Sequence, residues 1–206
     1  MCANQKSFNN DQGLPITILN SADNAQALVL EMGMRGFGEI ARLCAVAKPH
    51  IGVVTAVASA HTERVGDIAG VARAKAELVQ ALPSSGFAIL NADDERVREM
   101  RMQTEAQVLT YGSHPSSDIC MTKCNLDEMA RASVSAKTPW GEVSWAMSAP
   151  GAHMAHNAAA AIAVAGVCGV SIENAAAALE SSALSPMRMQ ILTTDTGLTV
   201  INDAYN

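Results

Sequence analysis

Residues 28–78 read LVLEMGMRGFGEIARLCAVAKPHIGVVTAVASAHTERVGDIAGVARAKAEL, and the order of apolar runs within them decides the fold class. Ala27–Gly33 is an apolar run with one acid near its end, and Ile51–Val57 is a second, β-branched run. Continuous runs of this kind suit parallel strands buried on both faces. Between them, Gly38–Lys48 carries Ile40, Leu43, Cys44 and Ala47 at helical spacing, and Pro49 stops it. After the second run, Asp67–Leu82 has an acidic start, a helical pattern and Pro83 beyond its end. The stretch predicts strand, helix, strand, helix, the repeat of right-handed βαβ units. It also sets Glu31 after the first strand, His61 after the second and Lys75 inside the second helix.

The alternation continues outward. Gly86–Ala92 and Ala106–Gly112 predict strands, with a charged helix over Asp93–Gln103 between them. Upstream, Gly13–Leu19 (GLPITIL) is expected to be extended or a turn, because Pro15 disfavours helix in the residue before it. From Ile119 to Ser148 strands follow one another without helices, with a hairpin around Pro139-Trp140-Gly141. Helices then run from about His153 to Val167 and from Ser171 to Ser182, the second with Ser171 as its N-cap. Two strands joined at Asp195–Gly197 close the chain. No repeat, low-complexity segment or linker breaks the pattern. The expected architecture is one α/β domain: a mostly parallel sheet flanked by helices, with a small antiparallel β patch beside it.

Composition narrows the function classes. With 206 residues the chain can bury one sizeable core. Hydrophobic residues make up 49% but aromatics only 3%, so Ala, Val, Leu, Ile and Met must fill that core. A net charge of −6 with no basic run argues against a nucleic-acid or anionic-membrane partner. The longest apolar run, Ala158–Val170, is shorter than the roughly 18–20 residues of a membrane span. The polar start lacks an apolar signal core, so the expected location is cytoplasmic. The five cysteines (Cys2, Cys44, Cys120, Cys124, Cys168) are odd in number and fit no disulfide framework. Cys120 and Cys124 have no second pair with which to complete a zinc site.

In an open parallel sheet, ligands bind beyond the carboxyl ends of the strands. The polar residues there are Glu31, His61, the Asn91, Asp93 and Asp94 group, and Asp203 after the final strand. Glu31 and His61 could converge on a hard cation such as Mg²⁺, with the histidine acting through water or phosphate. The plainer alternatives are a helix cap or solvated loop acid for Glu31 and a snorkelling surface lysine for Lys75. For Asp93-Asp94 the plain alternative is a helix N-cap. No Gly-x-Gly-x-x-Gly and no Gly-x-x-x-x-Gly-Lys-Ser/Thr occurs. Residue types and spacing alone stop at a cytosolic α/β domain for which a metal-nucleotide is one candidate ligand.

Eight motifs in order reach further: KSFNNDQGLP (Lys6–Pro15), LEMG (Leu30–Gly33), AHTERVG (Ala60–Gly66), ARAKAEL (Ala72–Leu78), ILNADDE (Ile89–Glu95), GAHMAHNAAAAIAVA (Gly151–Ala165), SPMRMQ (Ser185–Gln190) and INDAYN (Ile201–Asn206). Together they resemble the central ATPase domain of the Mur ligases, across essentially the whole chain. The resemblance implies a P-loop-NTPase-like fold and an ATP-dependent amide ligase of peptidoglycan synthesis. The Ser-Phe-Asn-Asn stretch and the closing Asn-Asp-x-Tyr-Asn are most similar to members that join D-alanyl-D-alanine to UDP-N-acetylmuramoyl-tripeptide, so those two molecules are the implied partners.

The resemblance assigns roles by position. Glu31 matches a Mg²⁺ ligand near the ATP phosphates and His61 a residue that helps hold a second Mg²⁺. Lys75 matches a lysine carbamylated by CO₂, which converts a cation into a carboxylate-like anion that can sit beside a metal. Asn157 matches an adenine contact, with His153 one helical turn earlier. Arg188 matches an arginine near the phosphates and Asp203 an aspartate at the ribose. Ser7, Asn9 and Asn10 lie where the muramyl-peptide would approach. Lys75, His61 and Arg188 are the implied catalytic set.

Three departures accompany the match. The family's phosphate loop would lie before residue 1 and its C-terminal domain after residue 206, so residues 1–206 are expected to be a central domain truncated at both ends and inactive alone. Ala56 and Met154 stand where the family often has Asn. Rival readings are another Mur-type or folylpolyglutamate-type amide ligase, or a catalytically silent binding module.

Overall fold

The computed structural model describes residues 1–4, 8–58, 62–180 and 190–204. The chain forms two compact units, one of Met1–Leu90 with Asp94–Val108, the other of Asn91–Asp93 with Leu109–Asn206.

The first unit contains β1 (Cys2–Ala3), α1 (Gly13–Leu19), β2 (Leu28–Val29), α2 (Glu39–Ala47), β3 (Ile51–Val54), α3 (Thr62–Val65), α4 (Ile68–Gln80), β4 (Phe87–Asn91, its last residue belonging to the second unit) and α5 (Glu95–Glu99). A 3-10 turn over Met100–Gln103 extends α5. The second unit contains most of β5 (Gln107–Gly112), then β6 (Ile119–Leu126), β7 (Arg131–Thr138), β8 (Gly141–Pro150), α6 (Ala152–Val167), α7 (Ile172–Glu180), β9 (Gln190–Thr193) and β10 (Thr199–Asn202).

Strands β3 to β8 form a six-stranded sheet in sequence order. Pairing is parallel at β3–β4 and β5–β6 and antiparallel at β6–β7 and β7–β8. The antiparallel strands β6–β8 and the β9–β10 pair supply the expected antiparallel component. Strands β7 and β8 turn at Pro139-Trp140, the expected hairpin. Separate two-stranded sheets pair β1 with β2 in parallel and β9 with β10 antiparallel.

Two sequence expectations need correction. Gly13–Leu19 is a helix, because Pro15 falls in its first turn, where a missing N–H leaves no bond unmade. Asn10 starts that helix by accepting from the backbone N–H of Gly13 at 2.8 Å. Ala27–Gly33 is not a strand of the main sheet. Only Leu28–Val29 is extended and paired, and both are exposed, while Leu30 and Met32 turn onto the core. Partial alternation, not double-sided burial, explains its apolar content.

The first unit's core gathers Leu14, Leu43, Val71, Val79, Leu90, Val97 and Met100 around α4 and β4. Each such side chain contributes about 1.5–3 kcal/mol by burial. Asp67 caps α4 by accepting from Gly70 N–H at 2.7 Å. Gly70 is required there for a second reason: a Cβ would collide with the Val65 carbonyl oxygen. In the second unit α6 is rich in buried alanines, which let the helix lie close against its neighbours. Gly166 does the same for Trp140, whose ring occupies the space a Cβ would need.

Both features at the start of α4 are testable by urea unfolding. Asp67→Ala should cost about 1 kcal/mol through the lost cap. Gly70→Ala should cost more, about 2 kcal/mol, because backbone atoms cannot yield as side chains do.

Candidate functional site

The implied site residues fall in both units, and each group is built locally. In the first unit Glu31 follows β2 on a segment held by two asparagines. Its backbone N–H donates to Asn4 Oδ1 at 2.7 Å, and Asn4 Nδ2 donates to the carbonyls of Glu31 and Phe8. Asn9 Nδ2 donates to Glu31 Oε1 at 3.0 Å, while the Asn9 carbonyl accepts from Gly33 N–H at 2.8 Å. A Cβ at Gly33 would press on the Asn9 amide at 3.0 Å, so the glycine keeps Asn9 against the strand. The result is an exposed carboxylate with one oxygen oriented by Asn9. Asn10, by contrast, spends its carbonyl oxygen on the start of α1.

Lys75 is half-buried on α4. Its Nζ donates to the Ala56 carbonyl at 2.6 Å, in the loop that leaves β3. That loop is also held by Asp94, whose Oδ2 accepts from Val57 N–H at 2.8 Å while its Oδ1 caps α5 at Arg96 and Val97. Burial lowers the Lys75 pKa from its ordinary value, and the Asp94 charge partly offsets this. A snorkelling lysine would keep its ammonium in water, whereas this one turns its Nζ inward to a backbone carbonyl. Cys44 behaves oppositely: burial first, and the Glu77 charge second, push its thiol up to about 11, so it is no nucleophile. Glu77 itself accepts from Gly38 N–H at 2.6 Å and Ala41 N–H at 3.0 Å, filling the N-terminus of α2.

In the second unit α6 starts at Gly151, whose φ of 110° a side chain would strain and whose open face the His153 ring covers. His153 and Asn157 are exposed one turn apart, and Asn157 Nδ2 donates to Met154 Sδ at 3.7 Å. Met154 thus meets Asn157 as a soft acceptor. Asp203 is exposed just past β10.

Sequence reasoning missed His156 and the division of labour between Asp93 and Asp94. Only Asp94 is a helix cap. Asp93 accepts from Ser113 N–H at 2.7 Å, from His114 N–H at 2.9 Å and from His156 Nε2 at 2.9 Å. Burial alone would raise the Asp93 pKa, but the hydrogen bonds from Ser113, His156 and His114 and the histidine charge together lower it. The only sequence signal was a second acid beside the cap with no helix-start donor left for it.

Ser7, His61 and Arg188 lie outside the described residues. Among the described residues no three His, Cys, Asp or Glu side chains cluster to hold a metal, and no helix is long and apolar enough to cross a membrane.

The Mur ligase middle-domain family matches residues 2–165. A UDP-N-acetylmuramoyl-tripeptide–D-alanyl-D-alanine ligase of Mycobacterium tuberculosis is 41% identical over 97% of this chain and 39% of its own length. The protein of that name from Bacillus subtilis is 34% identical over 97% of this chain and 42% of its own. A crystal structure of MurF from Acinetobacter baumannii superposes with a TM-score of 0.93 at 28% identity, covering all of this chain and 45% of that one. The chain spans about two-fifths of the length of these relatives.

Two measurements follow from the local geometry. Because the folded Asp93 pKa lies below its unfolded value, the protein is stabilised by ionised Asp93 above about pH 4 and loses this as pH falls through the lowered pKa. The stability gap between wild type and Asp93→Asn should therefore be largest at neutral pH and shrink below about pH 4. At pH 7–8, an amine-directed reagent such as cyanate should modify Lys75 faster than Lys123 or Lys137 once accessibility is normalised against the unfolded chain, as peptide mass spectrometry would read.

Proposed function

This chain belongs to the Mur ligase middle-domain family, and we propose that residues 1–206 are the ATP-binding middle portion of a ligase that joins D-alanyl-D-alanine to UDP-N-acetylmuramoyl-tripeptide in peptidoglycan synthesis. The observation that carries this reading is the 41% identity, sustained over 97% of the chain, to a relative bearing that activity in its name.

The reaction proposed has two steps. A terminal carboxylate oxygen of the tripeptide attacks the γ-phosphorus of ATP, and ADP leaves. The amine of D-alanyl-D-alanine then attacks the acyl-phosphate carbon, and phosphate leaves as the amide forms. Positioning and charge neutralisation supply most of the rate in such chemistry. The amine of Lys75 attacks CO₂ and loses a proton to give a carbamate; its lowered pKa supports this, since only the neutral amine is nucleophilic. Glu31, His61 and carbamylated Lys75 would hold Mg²⁺, which would neutralise charge on the transferring phosphoryl group. The exposed, Asn9-oriented Glu31 carboxylate fits a cation that keeps several waters and takes few protein oxygens. Asn157 and His153 on α6, with Arg188 and Asp203, would receive the nucleotide. Ser7, Asn9 and Asn10 would face the muramyl-peptide, with Asn9 also reaching Glu31.

In the full-length protein, ADP release should require both UDP-N-acetylmuramoyl-tripeptide and D-alanyl-D-alanine. ADP release that responds to a folate or to a free amino acid in place of D-alanyl-D-alanine overturns the reading. With ¹³C-bicarbonate, a carbamate carbon signal should appear in wild type and be absent in Lys75→Ala, whose turnover should fall roughly a hundredfold. Wild-type turnover in that variant returns Lys75 to a structural role.

A further inference from the structure

Asp93 and His156 are neighbours only in the folded second unit, 63 residues apart in sequence. The carboxylate is a three-way junction. Oδ2 accepts from Ser113 N–H and from His156 Nε2, and Oδ1 accepts from His114 N–H. Because a carboxylate only accepts, His156 Nε2 carries the proton in this pair. Side-chain exposures of 34% for His156 and 27% for Asp93 place the bond in a partly desolvated setting, where it is stronger than a surface pair.

The surroundings are shaped around it. Gly112 has a φ of 150°, and a Cβ there would stand 2.7 Å from Asp93 Oδ1. Only glycine lets the β5–β6 turn close on the carboxylate. The Ala92 N–H donates to the Tyr111 carbonyl at 2.8 Å, fixing the adjoining strands. Tyr111 is fully buried, and its hydroxyl makes no hydrogen bond to the carboxylate. His114 turns its Nδ1 to Ser116 instead. His156 is therefore the side chain that Asp93 captures, and it lies in the second turn of α6, directly before Asn157 and three residues after His153.

We propose that the Asp93–His156 pair is a positioning clamp for the purine end of an adenine nucleotide, fixing the first turns of α6 to the Ser113–His114 turn so that Asn157 and His153 are held ready for the base. This rests on the reading of α6 as the adenine-facing helix. His156 is a positioning residue: it acts through its neighbours and does not itself contact the nucleotide.

The test uses the full-length protein and two probes, ADP and inorganic tripolyphosphate. His156→Leu removes the donor, and His156→Gln retains one at a similar reach. His156→Leu should weaken ADP binding roughly tenfold, as expected for loss of a hydrogen bond to a charged group, leave tripolyphosphate binding unchanged, and raise the nucleotide KM with kcat within about twofold. His156→Gln should bind ADP within about threefold of wild type. A purely structural role would lower Tm without altering the ADP affinity of the folded protein. A second measurement needs no variant: by reciprocity, ADP should slow exchange of the Ser113 and His114 amides in wild type, and tripolyphosphate should not. Unchanged ADP affinity in a folded His156→Leu protein, or equal amide protection by the two probes, overturns the clamp while leaving the ligase reading intact. Wild type that binds ADP no better than tripolyphosphate removes α6 as the adenine-facing helix, and the clamp falls with it.

Discussion

Two adjacent carboxylates past the end of β4 organise what surrounds them, each by accepting hydrogen bonds from more than one segment of the chain. Asp94 satisfies the start of α5 and one amide of the loop leaving β3. Asp93 satisfies two amides of the turn after β5 and one imidazole on α6. Buried or half-buried amides must find acceptors, and leaving one unmet costs about 1–3 kcal/mol. One dipeptide thus sets the local shape of two loops and the first turns of a helix.

The same economy explains where chemistry can occur. The loop after β3 is drawn in from two sides, by Asp94 at Val57 and by Lys75 at Ala56. Holding the loop obliges Lys75 to leave water, and leaving water lowers its pKa. The contact that holds the loop and the downward pull on the Lys75 pKa therefore share one cause, burial. Glu31 shows a parallel logic: Asn4 and Asn9 hold the backbone of its segment, and Asn9 also orients its carboxylate. The surface pairs Arg42–Asp11 and Lys137–Glu142 do nothing comparable, since exposed ion pairs are worth at most about 1 kcal/mol.

Much of this was legible in the chain. The helical spacing of Gly38–Lys48 and Asp67–Leu82, and the apolar runs at Ile51 and Phe87, became α2, α4, β3 and β4. Pro139-Trp140 announced the hairpin, because a two-residue turn between alternating strands leaves little else for those residues to do. Gly13–Leu19 misled because a proline is read as a breaker unless its place in the first turn is known, and that place depends on where Asn10 begins the helix. Ala27–Gly33 misled because apolar content does not say whether a strand has neighbours on both sides.

What the sequence determined by itself was periodicity and chemistry type: the βαβ order, the acids and amides beyond strand ends, and the ordered motifs of a Mur ligase middle domain. These depend on neighbours a few residues away, or on residue identity alone. Only the tertiary structure decided which acid of Asp93-Asp94 is a cap, that Lys75 reaches Ala56, and that His156 belongs to Asp93. Each of those is a contact between residues distant in sequence. Its energy depends on burial and on competing donors, quantities that exist only once the chain has closed on itself.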